Sequence, residues 1–195
     1  MDDAILPAMS PREAAFYTAN ARRSRCVLEY GSGGSTVVAA ECDVPLLYSV
    51  DSDARWVARL RQHPKIAPLV EAGRAHLLHV DIGPVGNWGK PKSKLSAWKW
   101  PRYARRPWLE RDLRPDLVLV DGRFRISCIL ETLRHAPEAR IMVHDFRADK
   151  PRVRAVLPFV DVIQVVDKLA MLAARSNVDG LRARTVRLLF RYDRR

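Results

Sequence analysis

The sequence lacks the features that define membrane, secreted and disulfide-stabilised proteins. No apolar run approaches the ~18 residues that a membrane-spanning helix needs. The N-terminal segment MDDAILPAMS carries acidic residues in place of the basic region of a secretory signal. The cysteines include no CxxC pair, which predicts reduced thiols and neither a disulfide framework nor a zinc site. We therefore expect a cytoplasmic protein with no membrane span.

Acidic residues are scarce relative to basic ones. The chain has 195 residues, of which 34 are Lys or Arg and 22 are Asp or Glu, so its formal net charge is +12. A positive field attracts nucleic acid, acidic lipid surfaces or an anionic substrate. The alternative interpretation is a solvated, arginine-rich surface without a charged partner. The length and a hydrophobic content of 48% predict one domain with a full core, over residues 1–195.

Apolar segments alternate with helical ones along most of the chain. Ser10, Pro11 and Glu13 mark the start of a first helix that should run to about Ala21. The predicted strands are residues 26–30, 45–50, 75–80, 116–120, 140–143, 160–166 and 185–190. The predicted helices between them are residues 35–41, 54–62 and 125–135, with 168–175 helical or irregular. This order predicts an α/β fold with helices on both faces of a mostly parallel sheet.

Acidic residues lie where the predicted strands end. Four of the first five strands end at an aspartate, namely Asp51, Asp81, Asp121 and Asp145. The remaining strand carries Glu29, two residues before a glycine-rich loop. One aspartate at a strand end is an ordinary turn residue. Because the carboxyl ends of parallel strands share one edge, where open α/β sheets bind ligands, five acidic residues there predict a binding site.

The glycine-rich loop at residues 31–34 connects the first strand to a helix. A nicotinamide-binding loop would have a third glycine at the position of Thr36 and would hold a pyrophosphate. At ~5 Å and an effective dielectric of ~20, the Glu29 carboxylate would repel a pyrophosphate charge by about 3 kcal/mol. The same carboxylate attracts a ligand with a sulfonium and an ammonium group. The loop therefore favours S-adenosylmethionine over NAD.

The segment VLEYGSGGST resembles motif I of the class I S-adenosylmethionine-dependent methyltransferases. The resemblance covers about residues 24–190 and implies a Rossmann-like three-layer α/β/α sandwich, with a mostly parallel seven-stranded sheet and an antiparallel last strand. It implies that Asp51 holds the ribose, that Asp81 contacts the adenine and that Glu29 faces the methionine part of the donor. The residues expected to bind this cofactor are Glu29, Gly31, Ser32, Gly33, Ser35, Asp51, Ser52, Asp81, Ile82 and Asp121. Ser35 departs from the usual third glycine of the motif.

The acceptor side resembles the small-molecule O-methyltransferases of that family. The fourth strand ends in Asp121 without the N-P-P-Y or D-P-P-Y tetrapeptide that marks methylation of amino groups of bases. The candidate catalytic residues are Asp121, His144 and Asp145, with His144 either a general base or a structural histidine. Asp121 and Asp145 match two ligands of metal-assisted members, but Phe146 stands where the third ligand often falls. We expect no metal, with these two aspartates as the only candidate ligands of a divalent ion.

Residues 85–115, called here the insertion, differ in composition from the rest of the chain. Tryptophan and tyrosine interleave with lysine and arginine, which suits single-stranded nucleic acid, a small anionic or aromatic ligand, or a lipid surface. Alternatively, the tryptophans pack the insertion onto the domain. The candidate substrate-binding residues are Trp88, Arg123 and Arg125, because arginines beside Asp121 can bind a carboxylate or phosphate.

Three hypotheses about function follow from these residues. The leading one is a methyltransferase that uses S-adenosylmethionine to methylate an oxygen of a small or anionic acceptor. The second is an RNA methyltransferase, which the charge and the insertion favour. The third is a methyltransferase-like protein that binds S-adenosylmethionine without turnover.

Overall fold

The computed structural model describes residues 5–147, 149–176, 178 and 181. Among these residues the strands are β1 (Cys26–Tyr30), β2 (Leu46–Asp51), β3 (Ala75–His79), β4 (Leu117–Val120), β5 (Arg140–Val143), β6 (Val160–Val166) and β7 (Leu169–Ala174). The helices are α1 (Pro11–Ala21), α2 (Gly34–Glu41), α3 (Ala54–Arg61), α4 (Ala67–Glu71), α5 (Pro101–Arg105), α6 (Arg125–His135) and α7 (Pro151–Arg154). Within this part of the chain, no helix has both the length and the apolar character to cross a membrane.

The strands form one sheet in the order β3-β2-β1-β4-β5-β7-β6. The first five strands pair in parallel, whereas β7 runs antiparallel to both β5 and β6. The predicted fold class is therefore confirmed. Because β1 and β4 lie side by side where the strand order reverses, their carboxyl ends form the crevice in which such sheets bind ligands.

The prediction for residues 168–175 was wrong, because Leu169–Ala174 form strand β7 between β5 and β6. Alanine, leucine and methionine favour helices in isolation, which made this apolar run ambiguous. Asp167 has a φ of 50°, in the left-handed region that tight hairpin turns use, so the chain reverses directly after β6. The predicted strand at 185–190 lies outside the described residues.

Helices cover both faces of the sheet, as the pattern of buried residues in β4 shows. Val118 and Val120 belong to the core beneath α5 and α6, whereas Leu117 and Leu119 belong to the core beneath α1 and α2. This alternation follows from the two-residue period of a strand. Both cores pack against the sheet and support the crevice at its carboxyl edge.

The insertion connects β3 to β4 through α5 and short 3-10 turns. Trp100 is buried, and Trp108 donates a hydrogen bond from Nε1 to Tyr30 Oη at 2.9 Å. In contrast, Trp88 is 87% exposed and Trp98 is 63% exposed. The interpretation that the tryptophans pack the insertion onto the domain therefore holds for two of these residues and not for the other two.

Candidate functional site

The loop after β1 and the end of β4 make close backbone contact at Gly31 and Gly122. Gly31 has a φ of 101°, and a Cβ at this position would lie 2.5 Å from the backbone nitrogen of Gly122. A Cβ on Gly122 would lie 2.3 Å from Tyr103 Oη and 2.8 Å from Gly31 Cα. Only glycine at both positions allows the loop and the end of β4 to approach this closely.

The carboxylate of Glu29 is fully buried beneath the loop. It accepts hydrogen bonds from the hydroxyl groups of Ser35, Thr36 and Ser49, the last at 2.7 Å. Burial raises the pKa of Glu29 to about 7, although these hydroxyl groups oppose the shift. Glu29 thus ties the start of α2 to β2, and its contact with a donor stays a prediction.

Two further side chains hold the loop in place. Trp56 donates a hydrogen bond from Nε1 to the Ser32 carbonyl at 2.7 Å, and Thr36 Oγ1 accepts one from the Gly33 amide at 2.8 Å. Trp56, Thr36 and Ser49 were not predicted to belong to the site. Ser49 could have been found, because it is a polar residue in an apolar strand and pairs with Glu29 in the sheet register.

Asp51 ends β2 beside the loop, where the insertion covers it. Its Oδ1 accepts a hydrogen bond from the Asp53 amide at 2.8 Å. Burial raises the pKa of Asp51, against the opposing effect of nearby backbone amides. Ser52 Oγ donates to the Gly89 carbonyl at 3.2 Å, and a Cβ on Gly89 would lie 3.6 Å from Asp51 Oδ1. The tip of the insertion therefore closes over the end of β2.

Asp81 and Ile82 follow β3 and have different surroundings. Asp81 is exposed, and it accepts hydrogen bonds from Lys99 Nζ at 2.6 Å and from the Gly83 amide at 2.7 Å. The Lys99 hydrogen bond lowers the pKa of Asp81. Ile82 is fully buried in the core. The insertion thus supplies a cation to the acid that the resemblance assigns to adenine.

The guanidinium of Arg125 joins the ends of β4 and β5. Its Nε donates to the Gly122 carbonyl at 3.2 Å, and its Nη2 donates to the carbonyl and Oδ1 of Asp121 at 2.9 and 3.1 Å. Its Nη1 donates to the His144 carbonyl, and to Asp145 Oδ2 at 3.3 Å. Each of the five N–H groups therefore has an acceptor within the chain. Substrate binding by Arg125 stays a prediction.

His144 is buried between two carboxylates. Its Nδ1 lies 3.1 Å from Asp121 Oδ1, and its Nε2 lies 3.5 Å from Glu13 Oε2. The hydrogen bond to Asp121 raises the pKa of His144, while burial opposes this shift. Glu13 also accepts hydrogen bonds from the amides of Ser10 and Lys168, both at 2.7 Å. This geometry suits a positioning role for His144, and Glu13 is a site residue that was not predicted.

A cleft of about 240 Å³ lies beside Arg125, between α6 and the strand ends. The residues that line it are Gly122, Arg123, Phe124, Arg125, Ile126, Ile129, Val143, Asp145, Phe146 and Val153. Phe124 has a φ of 53° and Asp145 a φ of 52°, left-handed conformations that are strained for residues with side chains and concentrate at functional sites. The exposed Trp88 does not line this cleft. A smaller cleft of about 110 Å³ lies at the opposite edge of the sheet, where Trp108, Pro115 and His135 are among the residues that line it.

Comparison with known proteins identifies the family. A methyltransferase-like protein from Silicibacter pomeroyi DSS-3 is 30% identical over 96% of this chain and 96% of its own, with a TM-score of 0.81. The chain belongs to the class I S-adenosylmethionine-dependent methyltransferase family. No protein-family model and no curated protein sequence matches it.

Two more distant structures share the fold of this methyltransferase-family chain. One is an O-methyltransferase from Bacillus cereus in complex with SAH, 17% identical over 87% of this chain and 84% of its own, with a TM-score of 0.57. The other is an RNA methyltransferase from Salinibacter ruber in complex with S-adenosyl-L-homocysteine, 12% identical over 87% of this chain and 93% of its own, with a TM-score of 0.51. At these identities the likeness shows the fold alone.

Proposed function

We propose that this chain transfers a methyl group from S-adenosylmethionine to an oxygen of a small acceptor bound in the cleft. The observation that carries the proposal is the position of Gly122, which contacts Gly31 of the loop and also lines the cleft. A donor held by the loop and an acceptor held in the cleft would meet at the end of β4. Because methyl transfer is an in-line displacement, holding the reactants together is the main task of the protein.

The donor side offers groups that suit S-adenosylmethionine, which supplies a methyl group already activated by a sulfonium. Asp51 would accept hydrogen bonds from the ribose hydroxyls, and Asp81 would accept one from the adenine amino group. Among the described residues, no atom lies within 4 Å of a Cβ built on Gly33, so the loop faces open space at this position. The carboxylates at this edge would attract the sulfonium and ammonium groups.

The lining of the cleft favours an acceptor with an apolar body and an anionic group. Phe124, Ile129 and Phe146 supply apolar contacts, and Arg123 brings positive charge. Asp145 lines the cleft with a half-exposed carboxylate, which would accept the proton that a hydroxyl acceptor releases. A carboxylate acceptor would need no proton removal.

Calorimetry with S-adenosylhomocysteine tests the donor half of this proposal. We expect binding by the wild-type chain and a loss of about tenfold or more in Asp51→Ala, equivalent to about 1.4 kcal/mol. Asp112→Ala, at an exposed position in the insertion, is the matched control and should bind normally. A wild-type chain that binds no S-adenosylhomocysteine would refute the cofactor assignment.

A screen of hydroxyl and carboxylate acceptors with labelled S-adenosylmethionine tests the acceptor half. We expect label on an oxygen, and Asp145→Asn should slow transfer to hydroxyl acceptors more than transfer to carboxylates. Label on nitrogen would contradict O-methylation. Donor binding without transfer to any acceptor would favour the non-catalytic hypothesis.

RNA is a second candidate acceptor, favoured by the exposed face of the insertion. Trp88 and Trp98 are exposed, and the lysines at 90, 92 and 94 are exposed between them. Aromatic rings can stack on bases while lysines neutralise phosphates. If RNA is the acceptor, its affinity should fall steeply with salt, and Lys90→Gln with Lys92→Gln should reduce that slope. A flat salt response would remove this candidate.

A further inference from the structure

We infer that the guanidinium of Arg125 takes the place of a divalent cation at the ends of β4 and β5, so that this site operates without a metal. Asp121, His144 and Asp145 each offer one ligand atom, and these atoms lie within 4.8 Å of one another. By residue type alone, such a cluster could hold a metal ion. The inference rests on the proposed function only where it assumes that the site performs methyl transfer. The opposition to a bound metal comes from the contacts of Arg125 and does not depend on that reaction.

Arg125 already contacts the carboxylate oxygens that a metal would need. Its Nη2 lies 3.1 Å from Asp121 Oδ1, and its Nη1 lies 3.3 Å from Asp145 Oδ2. A divalent ion would bind these oxygens at ~2.0–2.6 Å and would therefore lie within a few ångströms of the guanidinium. Repulsion between the two cations at this distance opposes metal binding. The third ligand atom, His144 Nδ1, lies 3.1 Å from Asp121 Oδ1 and donates a hydrogen bond to it. Nδ1 would have to lose this proton before it could bind a metal.

The backbone contacts of Arg125 make it costly for the guanidinium to move aside for a metal. Besides the two carboxylates, it donates to the carbonyl oxygens of Asp121, Gly122 and His144. The side chain is only 26% exposed, and unpairing these partly buried carbonyls would carry a desolvation penalty. Arg125 is also the first residue of α6, so the helix start holds it against the strand ends.

The positive charge of Arg125 changes the electrostatics of the cleft, which an uncharged side chain at the same place would not do. Arg125 neutralises part of the negative charge of Asp121 and Asp145, and Asp145 lines the cleft. A metal at this place would likewise offset the negative charge of Asp121 and Asp145 and hold the Asp145 carboxylate. Arg125 is thus a positioning residue whose removal should expose a cation site.

Titration of the full chain with Mn²⁺, followed by the electron paramagnetic resonance signal of the free ion, tests this inference. We expect weak binding by the wild-type chain and binding that is tighter by about tenfold or more in Arg125→Gln, because the repelling charge is gone. Adding Asp145→Asn to Arg125→Gln should return the affinity to the wild-type level. Arg111→Gln removes an equal charge at an exposed position in the insertion and should change nothing.

Arg125→Lys covers the case in which Arg125→Gln does not fold, because it keeps the charge but loses the planar fork, and it should bind Mn²⁺ with intermediate affinity. The inference is overturned if a folded Arg125→Gln chain binds Mn²⁺ no more tightly than the wild type. It is also overturned if the wild type binds tightly and Asp145→Asn abolishes that binding. If neither Arg125 variant folds, Mn²⁺ binding by the wild type and by Asp145→Asn decides alone, and weak binding by the wild type supports the inference. Because the titration contains neither donor nor acceptor, its result is independent of whether the proposed methyl transfer is observed.

Discussion

Glu13 on the first helix lies 3.5 Å from His144 at the end of β5, measured from Oε2 to Nε2. Glu13 also completes the capping box of α1 with Ser10, so one carboxylate both starts the helix and faces the imidazole. His144 in turn contacts Asp121. The docking of α1 therefore places a carboxylate beside the imidazole at the sheet edge.

His144→Gln is expected to destabilise the protein below neutral pH and to have less effect in alkali. Asp121 raises the pKa of His144, although burial opposes the shift. A raised folded-state pKa contributes stability that is complete below the unfolded value of ~6.5 and is lost as the pH rises through the folded value. Losing a charge-assisted hydrogen bond should cost about 1–3 kcal/mol at acidic pH. Urea unfolding at pH 6 and 9 measures the difference, and equal losses at both would contradict the prediction.

Glu29→Gln is expected to flatten the pH dependence of stability between about 4.5 and 7. Burial raises the pKa of Glu29 from 4.5 to about 7, so in this interval the folded protein holds a proton that the unfolded chain has released. Stability should therefore fall as the pH rises through the interval, by about 3 kcal/mol at most. Urea unfolding from pH 5 to 8 tests this, with Glu41→Gln, on the exposed end of α2, as the control. If the free energy of unfolding of Glu29→Gln changes with pH as steeply as that of the wild type, the buried carboxylate is not the source of this pH dependence.

Gly122→Ala is expected to destabilise the chain and weaken donor binding. The new Cβ would lie 2.3 Å from Tyr103 Oη and 2.8 Å from Gly31 Cα, so the loop or β4 must shift. Overpacking of this kind costs about 1–3 kcal/mol. Thermal unfolding and calorimetry with S-adenosylhomocysteine measure the two effects. Gly86→Ala is the matched control, because its Cβ would have neighbours no closer than 3.6 Å. Equal behaviour of the two variants would show that the Gly31–Gly122 contact tolerates a side chain.

Trp56→Phe is expected to weaken the binding of S-adenosylhomocysteine while leaving the fold intact. The substitution keeps an aromatic ring on α3 but removes the Nε1 hydrogen bond to the Ser32 carbonyl. The loss should be about 1 kcal/mol, or roughly fivefold in affinity. Calorimetry measures it against Trp98→Phe, which changes an exposed tryptophan of the insertion. An equal loss in both variants would mean that the Trp56 contact does not organise the loop.

The fold was predictable because its determinants are local. The apolar run before Gly31 and the aspartate after each of the next strands are patterns within a few residues, and the structure has the first five strands within one residue or so of the predicted bounds. The prediction for residues 168–175 was wrong because an alanine- and leucine-rich segment has no local preference for a strand. There, pairing with β5 and β6 decided the outcome.

The site was predictable only in part. Asp121, His144 and Asp145 were expected at one edge and do lie together. In contrast, the contacts of Arg125 with the chain's own strand ends were not predicted, and Trp88, predicted to bind a substrate, is exposed and does not line the cleft. Residue type identifies a cation or an aromatic ring but not the neighbour it contacts.

Local sequence patterns were enough to predict the alternation of strands and helices, the glycine-rich loop and the acids that follow the strands, because each depends on neighbouring residues. The tertiary structure was needed to show that Glu29 is buried under three hydroxyls, that Glu13 faces His144 and that the guanidinium of Arg125 contacts Asp121 and Asp145. These relationships join side chains from separate elements. They arise from strand order and helix packing, which bring distant residues within hydrogen-bonding distance and exclude the water that would otherwise solvate them.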